Sequence, residues 1–269
     1  MKFIRYRDFD GSVSYAEGSS IQDALQLEGN PFSGFTRTNQ KANVAKLLSP
    51  VEPAIVFGIG LNYRRHAEET GASLPTNPVL FFKGPNTVQN PGDPIVLPRH
   101  LKSDEVDYEC ELAVVIKETC RNVPVDKALD KVLGYTCAND VSARDWQKIY
   151  AGGQWCRGKT FDTFLPMGPW LVTADEIPDP QILPIRTVLN GETMQESNTS
   201  DMIFTVAELV AYLSGSTTLY PGSIIITGTP EGVGMARKPP RWLQAGDQVT
   251  VEIDGIGSLT NPVIEEDLS

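Results

Sequence analysis

Apolar positions along this chain fall mostly in short runs. "AIVFGIG", "PVLFFK", "PIVLP", "ELAVVI", "SIIITG" and "QVTVEI" are rich in β-branched and aromatic residues and are separated by Pro, Gly and Asn. Short runs bounded by turn residues predict strands. Asn190-Gly191 in "VLNGETMQ" and Asp254-Gly255 in "VEIDGIGSL" predict tight hairpins between such strands. Near the N-terminus, "FIRYRDFDGSVSYAE" predicts two strands around the turn Asp10-Gly11. "SSIQDALQL" predicts a short helix with Ser20 as its N-cap and Asp23 three residues on, and "ANVAKLLSPVEP" reads as a linker ending at Pro53. Helical spacing is otherwise rare. "PVDKALDKVLGY" starts near Pro124 and lines up Ala128, Leu129, Val132 and Leu133 on one stripe. "TVAELVAYLSG" carries Thr205 and Glu208 as a capping box and Gly215 as its stop. The pattern is that of a β-dominated α+β chain, with an N-terminal α/β cap module over residues 1–50 and a main domain over residues 51–269. No repeat or low-complexity tract is visible.

Composition narrows the classes. The 269 residues suffice for one large domain or a domain with a small appendage. A hydrophobic fraction of 41% and a charged fraction of 21% are ordinary for a globular protein. The net charge of -11 argues against a nucleic-acid partner, which needs clustered Lys and Arg. No apolar run approaches the roughly 20 residues that span a membrane. Asp8 and Asp10 follow the basic N-terminal residues at once, and no apolar signal core follows, so the start reads as neither a signal nor a transit peptide. The expected compartment is the cytoplasm, with a mitochondrial matrix as the alternative. Cys110, Cys120, Cys137 and Cys156 form no C-x-x-C pair, which favours buried free thiols over disulfides or zinc.

Chemistry enters through polar residues in unusual places. In "DEVDYECELAVVI", Glu109 and Glu111 stand two positions apart, which on a strand puts both on one face beside a run that looks like core. Buried like charges repel unless a cation compensates. Asp140, in "GYTCANDVSARDWQ", offers a third carboxylate, and an all-oxygen set suits Mg²⁺, Mn²⁺ or Ca²⁺ rather than zinc. An exposed E-x-E face is the bland alternative. His66 in "GLNYRRHAEETG" has Glu69 three residues on, the spacing that brings two side chains together on a helical turn. A carboxylate-held His makes a good general base, although mixed charges such as "RRHAEE" also describe a plain surface helix. His100 reads as a loop residue. "CRGKTFDTFLPMGP" sets Arg157 and Lys159 among glycine, aromatics and prolines. "IIITGTPEGVG" ends an apolar strand in a glycine-rich turn with Thr229, which lacks the lysine of a phosphate loop.

Taken in order, "GLNYRRHAEE", "PVLFFKGPNTV", "VDYECELAVVI", "GYTCANDVSARDWQ" with "RGKTFDTFLPMGP", and "TGTPEGVG" resemble the fumarylacetoacetate hydrolase family over about residues 53 to 263. The resemblance implies a mixed β-sandwich roll, dimeric as a homodimer. It implies one divalent metal, Mg²⁺ or Mn²⁺, on Glu109, Glu111 and Asp140. His66 and Glu69 would be the catalytic pair on a segment that orders over substrate, with Lys159 assisting. Lys83, Arg144, Gln147 and Thr229 match positions that contact substrate or stabilise developing charge. The implied substrates are β-dicarbonyl acids such as acylpyruvates and oxaloacetate. Such an acid can chelate a dication, which stabilises the enolate as a C–C bond breaks or a proton leaves. C–C cleavage by hydrolysis or decarboxylation is the expected reaction. Enol-keto tautomerisation, a hydratase or isomerase reaction on a related 2-oxo acid, and a non-catalytic metal-binding relative are the alternatives. Gly84 and Asn86 depart from the family pattern, which often reads proline and a small hydroxyl residue there. The first fifty residues resemble the cap of longer bacterial and fungal-type members. That argues against fumarylacetoacetate as the substrate.

Overall fold

The computed structural model describes residues 1–150 and 152–268. Among the described residues two large sheets are joined by a two-stranded ladder of Val106–Asp107 and Ser142–Ala143. The larger is built round the hairpin of Cys110–Ile116 and Val132–Asn139, where Cys110 faces Asn139 and Leu112 faces Cys137. Ile224–Ile226 pairs with the first of these strands and also runs parallel to Val56–Gly60. Val79–Lys83 closes that edge. The smaller sheet orders Glu192–Asn198, Pro184–Leu189, Gln248–Ile253, Gly257–Glu265 and Ile95–Leu97.

Strand alternation divides the two faces of the central hairpin. Cys110, Leu112, Val114 and Ile116 face Ile185, Val251, Ile253 and Leu259 of the smaller sheet, with the helix Val206–Ser214 packed at the same core. Ala113 and Val115 face Phe81, Ile226, Leu165 and Met167 on the opposite side. Glu111 shares the parity of that second face. Central strands buried on both sides read as continuous apolar runs, which is how "ELAVVI" reads.

Several expected elements hold. Lys2–Asp8 and Val13–Glu17 pair antiparallel, with Gly11 at a φ of 90° in the turn. Asn190 and Gly191 both take positive φ, as a tight hairpin demands. The Thr205/Glu208 capping box is complete.

Three expectations fail. The helix expected from Ser20 is a single turn, with Asp23 N–H donating to Ser20 Oγ at 3.3 Å, after which Leu25–Asn30 pairs as a strand with Val13–Glu17. The linker contains the strand Val44–Leu48, which pairs with Lys2–Asp8. The helix expected from Pro124 is two tight turns, Val125–Lys127 and Leu129–Lys131. Val132 is already pairing opposite Ile116. In each case pairing with a distant strand outcompetes a weak local preference. The first fifty residues therefore consist of strands and turns, and Lys2 and Phe3 pair with Val172 and Leu171 of Leu165–Thr173, continuing the larger sheet. Among the described residues no helix is long and apolar enough to cross a membrane.

Candidate active site

The central hairpin assembles the carboxylates. Asp140 directly follows Asn139, and its N–H donates to the Glu109 carbonyl at 2.9 Å, so the two strand ends meet. Glu109, Glu111 and Asp140 are buried, and each places an oxygen within 4.8 Å of the others. The sequence expectation that these three converge is met.

Cations surround them unevenly. Lys159 Nζ bridges Glu109 Oε2 at 2.8 Å and Asp140 Oδ2 at 2.6 Å. Arg144 Nη2 stands 2.6 Å from Glu109 Oε1, and its Nε donates to Asp107 Oδ2 at 2.9 Å. Gln147 Oε1 accepts from Arg144 Nη1 at 3.0 Å. Burial works against the charge on Glu109, but Lys159 and Arg144 outweigh it and hold this carboxyl well below the usual range. Glu111 is pushed the other way, by burial first and then by Asp140 and Glu109. It accepts Gly228 N–H at 2.7 Å, and among the described residues no cation lies within ion-pair distance of it. A buried, all-oxygen set with one carboxylate short of a cation fits a divalent metal such as Mg²⁺ or Mn²⁺. Gly228 can come this close only as glycine. Its φ is +97°, and a Cβ there would lie 2.7 Å from Asn62 Cβ.

The histidine lies on the short helix Arg64–Thr70. Asn62 anchors the entry to that helix by donating to the Phe204 and Thr227 carbonyls at 3.0 and 2.7 Å. His66 Nδ1 is 2.8 Å from Glu69 Oε1, as the spacing predicted, and Glu69 Oε2 accepts Gly232 N–H at 2.9 Å. The pair is therefore braced from both sides rather than displayed on a surface helix.

A cavity of about 270 Å³ joins these groups. His66, Glu109, Glu111, Arg144, Gln147, Lys159 and Thr229 all contribute to its wall, with Phe81, Trp155 and Met235 as apolar surface. The strand carrying Gly60 passes Trp155 so closely that a Cβ would sit 2.0 Å from the indole. Lys83 departs from expectation. Its side chain is wholly buried away from the cavity wall, and its Nζ bonds Asp140 Oδ1 at 2.6 Å and the Val141 carbonyl at 3.2 Å. It supports a carboxylate and does not face the space for substrate. The unusual Asn86 has a local purpose: its Nδ2 donates to Asp162 Oδ1 at 2.7 Å and the Thr160 carbonyl at 3.2 Å, tying the turn after Lys83 to the segment after Lys159.

Two functional neighbours escaped the sequence reading. Asp107 is buried, pairs with Arg144, and accepts Gly234 and Met235 N–H at 2.7 and 3.1 Å, linking the arginine to the glycine-rich turn. The signal was present, since Asp107, Glu109 and Glu111 continue one alternation. Gln195 donates to Thr229 Oγ1 at 2.8 Å, and nothing local in "ETMQESN" marks it.

A family model described as fumarylacetoacetate (FAA) hydrolase, C-terminal, matches residues 55–264. The chain is 44% identical over 243 residues to the oxaloacetate tautomerase fahd2, mitochondrial, of Xenopus laevis, covering 90% of this chain and 76% of that one. It is 48% identical over 218 residues to the oxaloacetate tautomerase Fahd2a, mitochondrial, of Rattus norvegicus, covering 81% and 69%. Among solved structures, a 5-carboxymethyl-2-hydroxymuconate delta-isomerase from Mycobacterium smegmatis superposes with a TM-score of 0.86 at 38% identity, over 99% of this chain and 100% of that one. A 2-hydroxyhepta-2,4-diene-1,7-dioate isomerase from Mycobacterium marinum gives 0.85 at 38% identity, over 99% of each chain.

Proposed function

This chain belongs to the fumarylacetoacetate hydrolase family, and we propose that it is a divalent-metal-dependent enzyme that interconverts the enol and keto forms of a 2-oxo acid such as oxaloacetate. The observation that carries this reading is the meeting, at one cavity wall, of Glu109 and Glu111, with Asp140 buried behind them, and a histidine braced by a carboxylate. Glu109, Glu111 and Asp140 would hold the dication. When bound, it supplies Lewis-acid stabilisation of an enolate oxygen.

The chain's own residues supply the rest. Glu69 accepts from His66 Nδ1, which leaves Nε2 as the basic nitrogen for the cavity. That nitrogen takes the enol O–H proton, and the imidazolium returns it to carbon. Arg144 and Lys159 offer positive charge to a substrate carboxylate, and Phe81 and Trp155 exclude water. The names of the relatives favour proton transfer over the cleavage expected from sequence. Decarboxylation or hydrolysis is the second reading, favoured by the buried, charged Lys159 at the wall, which could protonate the carbon left when a C–C bond breaks.

A substrate panel tests both. Oxaloacetate, acetylpyruvate and fumarylpyruvate are given with Mg²⁺ or Mn²⁺, with and without EDTA, while enol absorbance and pyruvate release are followed together. EDTA-sensitive enol decay without pyruvate is the expected result. EDTA-sensitive pyruvate release transfers the assignment to the cleaving enzyme. No turnover of any of the three refutes both.

A further inference from the structure

Three parts of the fold meet at one buried amide. Gln195 lies on the strand Glu192–Asn198 and is almost wholly enclosed. Its Oε1 accepts from Cys110 N–H at 3.0 Å and from the Thr187 hydroxyl at 2.7 Å. Its Nε2 lies 2.9 Å from the Pro230 carbonyl and 2.8 Å from Thr229 Oγ1. A backbone N–H can only donate and a carbonyl can only accept, so Cys110 and Pro230 together decide which end of the amide is oxygen. The flipped amide would set N–H against N–H and carbonyl against carbonyl inside the core.

That orientation has a consequence for the neighbouring hydroxyl. One Nε2 hydrogen serves Pro230, and the other points at Thr229 Oγ1. Thr229 therefore accepts from Gln195, and its own proton must point elsewhere. Thr229 lies on the cavity wall, and among the described residues no protein acceptor takes its proton. We infer that Gln195 sets the polarity of Thr229, making its hydroxyl a dedicated donor into the cavity, so that the substrate atom lodged there is an acceptor oxygen of a carboxylate, carbonyl or enolate. Gln195 is a positioning residue, and Thr229 is the group that touches substrate. Cys110 stands between Glu109 and Glu111, so the same amide also sets the spacing between the donor and the carboxylate strand. This inference rests on the reading of the cavity as an oxo-acid site.

The test is a double-mutant cycle read by binding. Oxalate, which has the charge and oxygen spacing of a small enolate acid, is titrated calorimetrically into the Mg²⁺-loaded protein. Thr229→Val, which removes the hydroxyl but keeps the shape, should weaken binding about tenfold or more, the worth of a hydrogen bond to a charged acceptor. Thr229→Ser restores a donor and should stay within about threefold of wild type. With Gln195→Met, the hydroxyl is free to turn away, and adding Thr229→Val should then cost less than about twofold more. Gln195→Glu is the nearly isosteric alternative if the methionine variant fails to fold. It accepts where Gln195 donated, and the same loss of additivity is expected. Mn²⁺ affinity, measured in parallel, should be unchanged by Thr229→Val, while the unfolding midpoint should fall by a few degrees because one buried Gln195 N–H loses its acceptor. Losses that multiply in the double variants overturn this inference and leave the functional reading intact. A wild-type protein that binds no oxalate overturns both.

Discussion

Replacing Lys159 with methionine removes a buried cation and leaves a side chain of similar length. In the folded protein Lys159 is charged at neutral pH: burial opposes its proton, but Asp140 and Glu109 outweigh that and raise its pKa. Asp107, Glu109, Glu111 and Asp140 are four carboxylates facing three cations, Lys83, Arg144 and Lys159. Counted as fully ionised, the wild type carries one negative charge in excess and the variant two, and burial with Asp140 and Glu109 pushes Glu111 toward its protonated form in EDTA. Stripping one partner from a buried ion pair costs about 3–5 kcal/mol. Here each affected carboxylate keeps a second cation at 2.6 Å, Arg144 for Glu109 and Lys83 for Asp140. The expected loss is therefore smaller, about 2–3 kcal/mol in EDTA, or a fall of about 4–6 °C in the unfolding midpoint. A dication restores the missing charge, so Mg²⁺ should raise the midpoint of Lys159→Met by more than it raises that of the wild type. Differential scanning calorimetry of both proteins, in EDTA and in millimolar Mg²⁺, makes the comparison. A variant as stable as wild type in EDTA, or one whose Mg²⁺ shift is no larger, refutes the charge-balance account of the site.

Other outcomes follow from the same geometry. Asp140→Ala should abolish Mn²⁺ binding and turnover together, checked by electron paramagnetic resonance of free Mn²⁺ and by the enol assay. His66→Ala should retain Mn²⁺ but lose about 10²-fold or more of proton transfer; full activity would remove the His66–Glu69 pair from the mechanism. A pH effect is expected far from the cavity, at Asp247. Burial raises its pKa, but Arg241 at 2.8 and 2.9 Å, Asn190 at 2.8 Å and Gln244 N–H at 2.8 Å outweigh that and depress it. A depressed carboxylate contributes stability above its unfolded pKa of about 3.9 and loses it as pH falls through the folded value. Urea unfolding between pH 5 and 2 should therefore show a shallower acid limb in Asp247→Asn than in the wild type.

Much of the site was legible before the fold. Glu109, Glu111 and the His66–Glu69 pair were recognisable because they sit on local patterns, two-residue alternation on a strand and three-residue spacing on a helical turn, whereas Asp140 was joined to the glutamates by the family motifs. Ordered motifs carried the family. Which way Lys83 turns was not legible, because its motif names a residue near the site without giving the direction of the side chain, and strand pairing buries it against Asp140. Gln195 was invisible because its partners, Cys110, Thr187, Thr229 and Pro230, come from three separate segments.

The failed helices at Ser20 and Pro124 teach the same division. Hydrophobic spacing over a few residues is nearly balanced between strand and helix in both stretches. The energy that decides lies in ladders to Val13–Glu17 and Cys110–Ile116, which no local window contains. By itself the sequence determined the β-dominated class, the turns, the capped helix at Thr205 and the identities of the charged groups, because these depend on backbone sterics and neighbours within a turn. The tertiary structure decided which charges are buried together, how many cations offset them, and which way a hydroxyl proton points. Those are properties of distance and desolvation between residues far apart in the chain.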